Sequence, residues 1–152
     1  MELSFDDFFN AKGMAELIKE YANSSNNPLV QDVDLDYINI VREAYKTIIQ
    51  KTNTTFHVIK ENGIVKGLAV LVISSNGNSP KLVCDINSIY VTPQLRKQGY
   101  GKKLFQYIDD FSKKNGASGI YFQVPCGSRL ERILDKTNYF DRQYSLFYRE
   151  IV

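Results

Sequence analysis

Apolar positions along the chain change their spacing several times, and each change marks an element. Residues 13–22 place Met14, Leu17, Ile18 and Tyr21 three and four apart, which predicts an amphipathic helix. Residues 36–51 repeat the pattern with Tyr37, Ile40, Val41, Ala44, Tyr45, Ile48 and Ile49, a second helix. Between them, Asn23-Ser24-Ser25-Asn26-Asn27-Pro28 has the composition of a loop. Residues 54–60 and 64–74 are rich in β-branched and aromatic residues, and Glu61-Asn62-Gly63 joins them with a hairpin signal. Asn76-Gly77-Asn78 marks another turn before a strand over 81–91, which completes an antiparallel meander. After Pro93 helical spacing returns over 101–115, with Leu104, Phe105, Ile108 and Phe111 on one stripe and Gly116 as its stop. A strand over 119–124 follows, then a short helix over 128–137. That helix has Leu130, Ile133 and Leu134 inside and Ser128 as N-cap. Alternation over 144–151 predicts a last strand that closes the sheet. The order predicts one α/β domain over residues 1–152, a mixed sheet flanked by about four helices.

Composition narrows the function classes. Apolar residues make up 43% and charged residues 24% of 152, enough to bury a core without a disulfide or metal staple. Lys and Arg exceed Asp and Glu by 19 to 17, too small a margin to argue for a nucleic-acid partner. The two cysteines, Cys84 and Cys126, have no Cys or His partner at zinc spacing, so no metal is expected and both suit a reducing compartment. The first ten residues are acidic and lack a basic start and an apolar run, so no signal peptide is expected. The longest apolar run, 64–73, contains Lys66 and Gly67 and is too short to span a bilayer. A cytoplasmic protein without a membrane partner is the expectation.

The chemistry gathers where the strand over 81–91 gives way to a helix. Gly99 and Gly101 strip side chains from the helix head, where backbone N–H groups are unpaired and the dipole is positive. Arg96, Lys97, Lys102 and Lys103 add charge around the same point. Such a turn suits a pyrophosphate. The dinucleotide fingerprint would need glycine at 104, where Leu104 stands. The Walker pattern would need glycine at 96 and a hydroxyl after Lys102, where Arg96 and Lys103 stand.

Arg96-x-x-Gly99-x-Gly101, after Val91 and Pro93 and before an amphipathic helix, resembles the signature of the GNAT superfamily of acyl-CoA-dependent N-acyltransferases. The order of elements is similar to that family's over nearly the whole chain. The resemblance implies that the backbone from Gln98 through Gly99, Tyr100 and Gly101 to Lys102 binds the coenzyme A pyrophosphate, beside Arg96 and Lys97. It implies that Ile89, Tyr90 and Val91 pair their backbone with the pantetheine arm, as an added strand would. The strand would splay from 119–124 to open a slot for acetyl-CoA, and a backbone N–H near Tyr90 or Val91 would stabilise the thioester oxyanion.

Amine attack on a thioester needs a base to take the ammonium proton. Several family members carry a carboxylate on the signature strand, and Asp85 stands at that position, fourteen residues before Gly99. Period-two alternation predicts Asp85, Asn87, Ile89 and Val91 on one face, with Asp85 and Asn87 lining the acceptor pocket. Many members also use a Tyr of the last helix to protonate the departing thiolate. The ending Asn138-Tyr139-Phe140 aligns Asp135 with that Tyr, so Ser128, a water, Tyr139 or Tyr90 takes its place among the candidates. The segment before the second helix carries Asp32, Asp34 and Asp36, an acidic rim that would attract a cationic amine.

The acceptor is open: a primary amine of a small molecule or protein, taken up by a monomer or homodimer. Residues 125–130 also resemble a segment of phage-encoded members, some of which modify DNA bases. Arg129, Arg132 and Lys136 would then meet the coenzyme A 3′-phosphate or nucleic acid. A non-catalytic acyl-CoA-binding protein is the third reading, suggested by the missing Tyr. His57, the sole histidine, lies in a strand without a Ser or Cys partner nearby in sequence, so no hydrolase triad is argued. Cys84 reads as core and Cys126 as the more exposed thiol.

Overall fold

A computed structural model describes residues 1–24, 37–75, 80–137, 140–143, 147, 149 and 151. The elements run β1 (Glu2–Leu3), α1 (Phe5–Asn10), α2 (Met14–Ser24), α3 (Tyr37–Ile49), β2 (Asn53–Glu61), β3 (Ile64–Ser75), β4 (Leu82–Val91), α4 (Pro93–Lys97), α5 (Tyr100–Lys114), β5 (Gly119–Phe122) and α6 (Arg129–Lys136). The sheet order is β1-β2-β3-β4-β5. The first four strands are antiparallel, and β4 and β5 are parallel.

α2 and α5 cover the faces that their apolar stripes predict, whereas Ile40, Ala44 and Ile48 of the stripe predicted for α3, and Ile133 of α6, are exposed. α3 packs through Tyr37, Ile38, Val41, Tyr45 and Ile49. Phe8, Phe9, Met14, Leu17 and Ile18 pack with Phe56, Val58, Leu68, Val70 and Tyr90 on one face of the sheet. Leu95, Leu104 and Ile108 pack with Ala69, Leu71, Ile73, Cys84, Ile86 and Val91 on the other. Central β3 is paired on both edges and covered on both faces, which accounts for its almost unbroken apolar run. The hairpin between β2 and β3 turns on Asn62 (φ 53°) and Gly63 (φ 79°), the left-handed pair that an Asn-Gly sequence supplies.

The chain forms six helices among the described residues, against about four expected. Two are short. In α1, Ser4 accepts from the Asp7 N–H at 3.1 Å, and Asp6 and Asp7 complement the positive helix end. Its six residues carry too little periodicity to announce a helix. The turn expected after Val91 is itself helical, α4, opened by Pro93 at its first position. Pairing over β5 ends at Phe122, short of the expected 124. The expected closing strand over 144–151 lies largely outside the described residues; Phe147, Arg149 and Ile151 are not in strand conformation. The turn at 76–78 and the acidic residues Asp32, Asp34 and Asp36 also lie outside them.

Candidate active site

β4 leaves its parallel neighbour halfway along. Rungs join Val83 to Gly119, Cys84 to Ile120, Asp85 to Tyr121 and Ile86 to Phe122, and then stop. On its other edge β4 stays paired with β3 as far as Val91 opposite Gly67. From Asn87 onward, the β5-side edge of β4 therefore carries backbone groups without a strand partner among the described residues. That is the splayed slot.

A bulge lies where the slot opens. Leu71 faces Ile86 and Val70 faces Ser88, so Asn87 is the extra residue. An extra residue reverses the face of everything after it. Cys84 and Ile86 point toward α5, yet Tyr90 joins the core under α2, while Ile89 and Val91 pack on the α5 side. The alternation expected for Asp85, Asn87, Ile89 and Val91 is thus corrected. Asp85 shares its side with Ser88 and Tyr90, opposite to Ile89 and Val91. Simple period-two counting cannot see a bulge, because nothing in the local composition announces one.

At the far end of the slot, Gly99 adopts φ 82° and ψ 11° as the N-cap of α5, a conformation that L side chains rarely adopt. A Cβ built on Gly99 or Gly101 meets nothing within 4 Å, so the helix head faces open space. The first helical bond of α5 runs from the Lys103 N–H to the Gly99 carbonyl at 3.2 Å. The amides of Tyr100, Gly101 and Lys102 therefore have no acceptor one turn earlier in α5. Lys97 and Lys102 are exposed. The glycines, the free amides and these cations fit a pyrophosphate.

Arg96 is partly engaged elsewhere. Its Nε donates to the Val91 carbonyl at 2.7 Å, and its guanidinium lies 5.2 Å from the Tyr90 ring centroid. It ties α4 back onto the end of β4 and carries its charge there. Tyr90 in turn donates its hydroxyl to Glu20 Oε1 at 2.8 Å. Burial, then the Glu20 carboxylate, pushes the Tyr90 phenol up to about 12. A proton held that firmly makes Tyr90 a poor acid for a thiolate.

Asp85 is half-buried, and burial raises its carboxyl from its ordinary value. Asn87 Oδ1 accepts from the Tyr45 hydroxyl at 2.5 Å, and the same hydroxyl lies 3.1 Å from Ser88 Oγ. Burial raises the phenols of Tyr21 and Tyr45, and the neighbouring Ser88 hydroxyl offsets part of that. Tyr21, Tyr45 and Ser88 escaped the sequence reading, in which both tyrosines counted as core stripe. A stripe position occupied by a phenol, on a helix facing a polar strand segment, was the available signal.

Ser128 caps α6 as expected, its Oγ accepting from the Glu131 N–H at 3.1 Å. Asp135, at the position aligned with the usual Tyr, makes a surface ion pair with Arg142 at 2.5 Å. Tyr139 lies outside the described residues. Arg132 donates to the Gly127 carbonyl at 2.8 Å, and Arg129 is exposed. Cys84 is fully buried and Cys126 exposed, as expected. His57 is 1% exposed and sits between Thr55 Oγ1 and the Tyr107 hydroxyl, each at 2.7 Å, a satisfied core histidine. Among the described residues, no helix is long and apolar enough to cross a membrane.

The fold as a whole is similar to that of proteins of known structure. The chain is 16% identical to a ribosomal-protein-alanine N-acetyltransferase from Brucella melitensis biovar Abortus 2308. The two align over 99% of this chain and 98% of that one, with a TM-score of 0.71. An aminoglycoside acetyltransferase from an uncultured soil metagenomic sample, solved in complex with sisomicin, aligns over 100% and 95%. Its TM-score is 0.70 at 17% identity. At such identities these likenesses establish the fold. In sequence, the chain is 25% identical over 96 residues to an uncharacterized N-acetyltransferase, YhfO, of Bacillus subtilis (strain 168). That match covers 63% of this chain and 64% of the relative. The model of the acetyltransferase (GNAT) family matches residues 13–128, from the start of α2 through the slot to the cap of α6, and the chain belongs to that family.

Proposed function

We propose that this protein transfers an acetyl group from acetyl-CoA to a primary amine by direct attack, with no covalent enzyme intermediate. The observation that carries the reading is the continuity of two features. The unpaired edge of β4 from Asn87 to Val91 leads straight to the open, glycine-lined head of α5. An extended arm rich in amides matches the first, and a pyrophosphate matches the second. When bound, acetyl-CoA supplies a thioester carbonyl activated toward amines.

Each residue has a role in this scheme. The amides of Tyr100, Gly101 and Lys102 hold the pyrophosphate, with Lys97 and Lys102 offering charge from exposed positions. The expected contribution of the Gln98 and Gly99 amides is corrected, because they already donate to the Leu95 and Arg96 carbonyls. The backbone of Ile89, Tyr90 and Val91 aligns the arm. Free N–H groups of this edge face the developing oxyanion, where a fixed donor is worth most. Asp85 accepts the ammonium proton through water, since its side chain is short, and burial moves its carboxyl in the direction that makes it a stronger base. Asn87 lines the acceptor pocket. Ser128, whose oxygen accepts within α6 but whose proton is uncommitted to that bond, donates to the thiolate. The acceptor is a cationic amine drawn by Asp85 and the acidic segment before α3. Residues 1–152 act as one domain in the cytoplasm.

Calorimetric titration with acetyl-CoA, followed by thiol release over polyamines, amino acids, aminoglycosides, peptides and DNA, tests the reading. Saturable binding and release with at least one amine are expected. Absence of binding overturns it. Binding without release over the whole panel favours a non-catalytic acyl-CoA-binding protein.

A further inference from the structure

We propose that Tyr45 is a positioning residue of the acyl-transfer site, which acts by pinning the bulge of β4. The inference rests on the acetyltransferase reading above. Tyr45 projects from α3 to Asn87 Oδ1 at 2.5 Å and Ser88 Oγ at 3.1 Å, while its ring packs 5.7 Å from Phe56 and 6.2 Å from Phe9. The direction of the bonds follows from their chemistry. An amide oxygen only accepts, so the single Tyr45 proton goes to Asn87. Ser88 Oγ lies 3.1 Å from the Tyr45 hydroxyl and itself donates to Asn87 Oδ1 at 3.3 Å. The chain of bonds closes on Asn87 Oδ1, which accepts from both hydroxyls.

The chain ends on the one residue of β4 that has no partner in β3, next to the last rung with β5. A bulge held only by its own backbone can migrate along the strand, and a shift of one residue turns every side chain beyond it to the other face. The Tyr45 hydroxyl fixes the bulge at Asn87. It thereby keeps Asp85 on the acceptor side and the 87–89 backbone turned into the slot. A ring at this place would suffice for packing; the partly buried hydroxyl costs desolvation unless its bonds are used.

Tyr45→Phe deletes the hydroxyl and keeps the ring, and Ser88→Ala removes one of its two partners as a milder second variant. Hydrogen exchange of the 87–89 amides is measured in each protein, free and saturated with acetyl-CoA, alongside calorimetry. Tyr45→Phe is expected to bind acetyl-CoA within about threefold of wild type, because the α5 head is untouched. Its bound-state exchange at 87–89 is expected to be about tenfold faster, the loss of one well-made hydrogen bond. Ser88→Ala is expected to fall between. Wild-type exchange in both variants overturns the role of Tyr45 and leaves the acetyltransferase reading standing. A wild type that does not bind acetyl-CoA overturns both.

Discussion

Ile86 of β4 faces Phe122 of β5 across the last rung of the parallel pair, and the next residue along β4 is the bulged Asn87. Separation and bulge thus coincide. Up to Ile86 the strand is part of a closed ladder, and beyond it one edge is free. Backbone amides of residues 87–91 that do not bond to β3 are therefore expected to exchange quickly in the free protein. Acetyl-CoA is expected to slow them by at least about tenfold while amides of 83–86 stay protected throughout. Site-resolved hydrogen exchange measures this.

Asp85 sits two residues before the slot, with its carboxyl raised by burial. Asp85→Asn is expected to lower kcat by about 100-fold, within the usual range for a general base, while acetyl-CoA affinity stays near that of wild type. A carboxylate base works only when ionised. The acid limb of the wild-type rate profile is therefore expected to be shifted upward from that of a free carboxylate, and to vanish in the variant. Thiol release between pH 5 and 9 checks both.

How much of this was legible in the sequence depends on the scale of the feature. Long periodic segments such as α2, β3 and α5 follow directly from their apolar spacing, since each buries one stripe or one pair of faces. α3 is a helix as expected but leaves Ile40 and Ile48 of its stripe exposed. The Gly99 and Gly101 pair announced the helix head because the fold needs φ 82° at residue 99 and open space beside both positions. α1 and α4 are too short for periodicity to act as evidence. The bulge at Asn87 was invisible because it is a choice of register between two strands, settled by which apolar residues β3 presents. The Tyr45–Asn87 contact joins positions 42 apart and exists only once that register is set.

His57 offers a pH test of the core. Burial, then the nearby terminal ammonium, lowers its imidazole from 6.5 to about 4. Above pH 6.5 the ring is neutral in both folded and unfolded chains, and the histidine does not affect stability. Between pH 6.5 and 4 the unfolded chain takes up a proton that the folded chain refuses. Stability is therefore lost as pH falls through this window, by about 3 kcal/mol in all. His57→Gln is expected to flatten the curve of unfolding free energy against pH by that amount, measured by urea titration at pH 7, 5.5 and 4.5.

Gly101 lies within α5, has no left-handed requirement, and has free space where a Cβ would go. Gly101→Ala is expected to stabilise the fold by up to about 1 kcal/mol through helix propensity. Gly99, at φ 82°, is expected to respond in the opposite sense, with Gly99→Ala costing about 1 kcal/mol. Thermal unfolding of the two variants beside wild type separates them.

The head of α5 carries the account, and calorimetric titration of acetyl-CoA into wild type and Gly99→Glu tests it most directly. Glutamate at position 99 places a carboxylate in the open space that the pyrophosphate needs. The predicted result is saturable one-to-one binding to wild type and none to a Gly99→Glu protein shown by circular dichroism to be folded. Equal binding by the two proteins would contradict it.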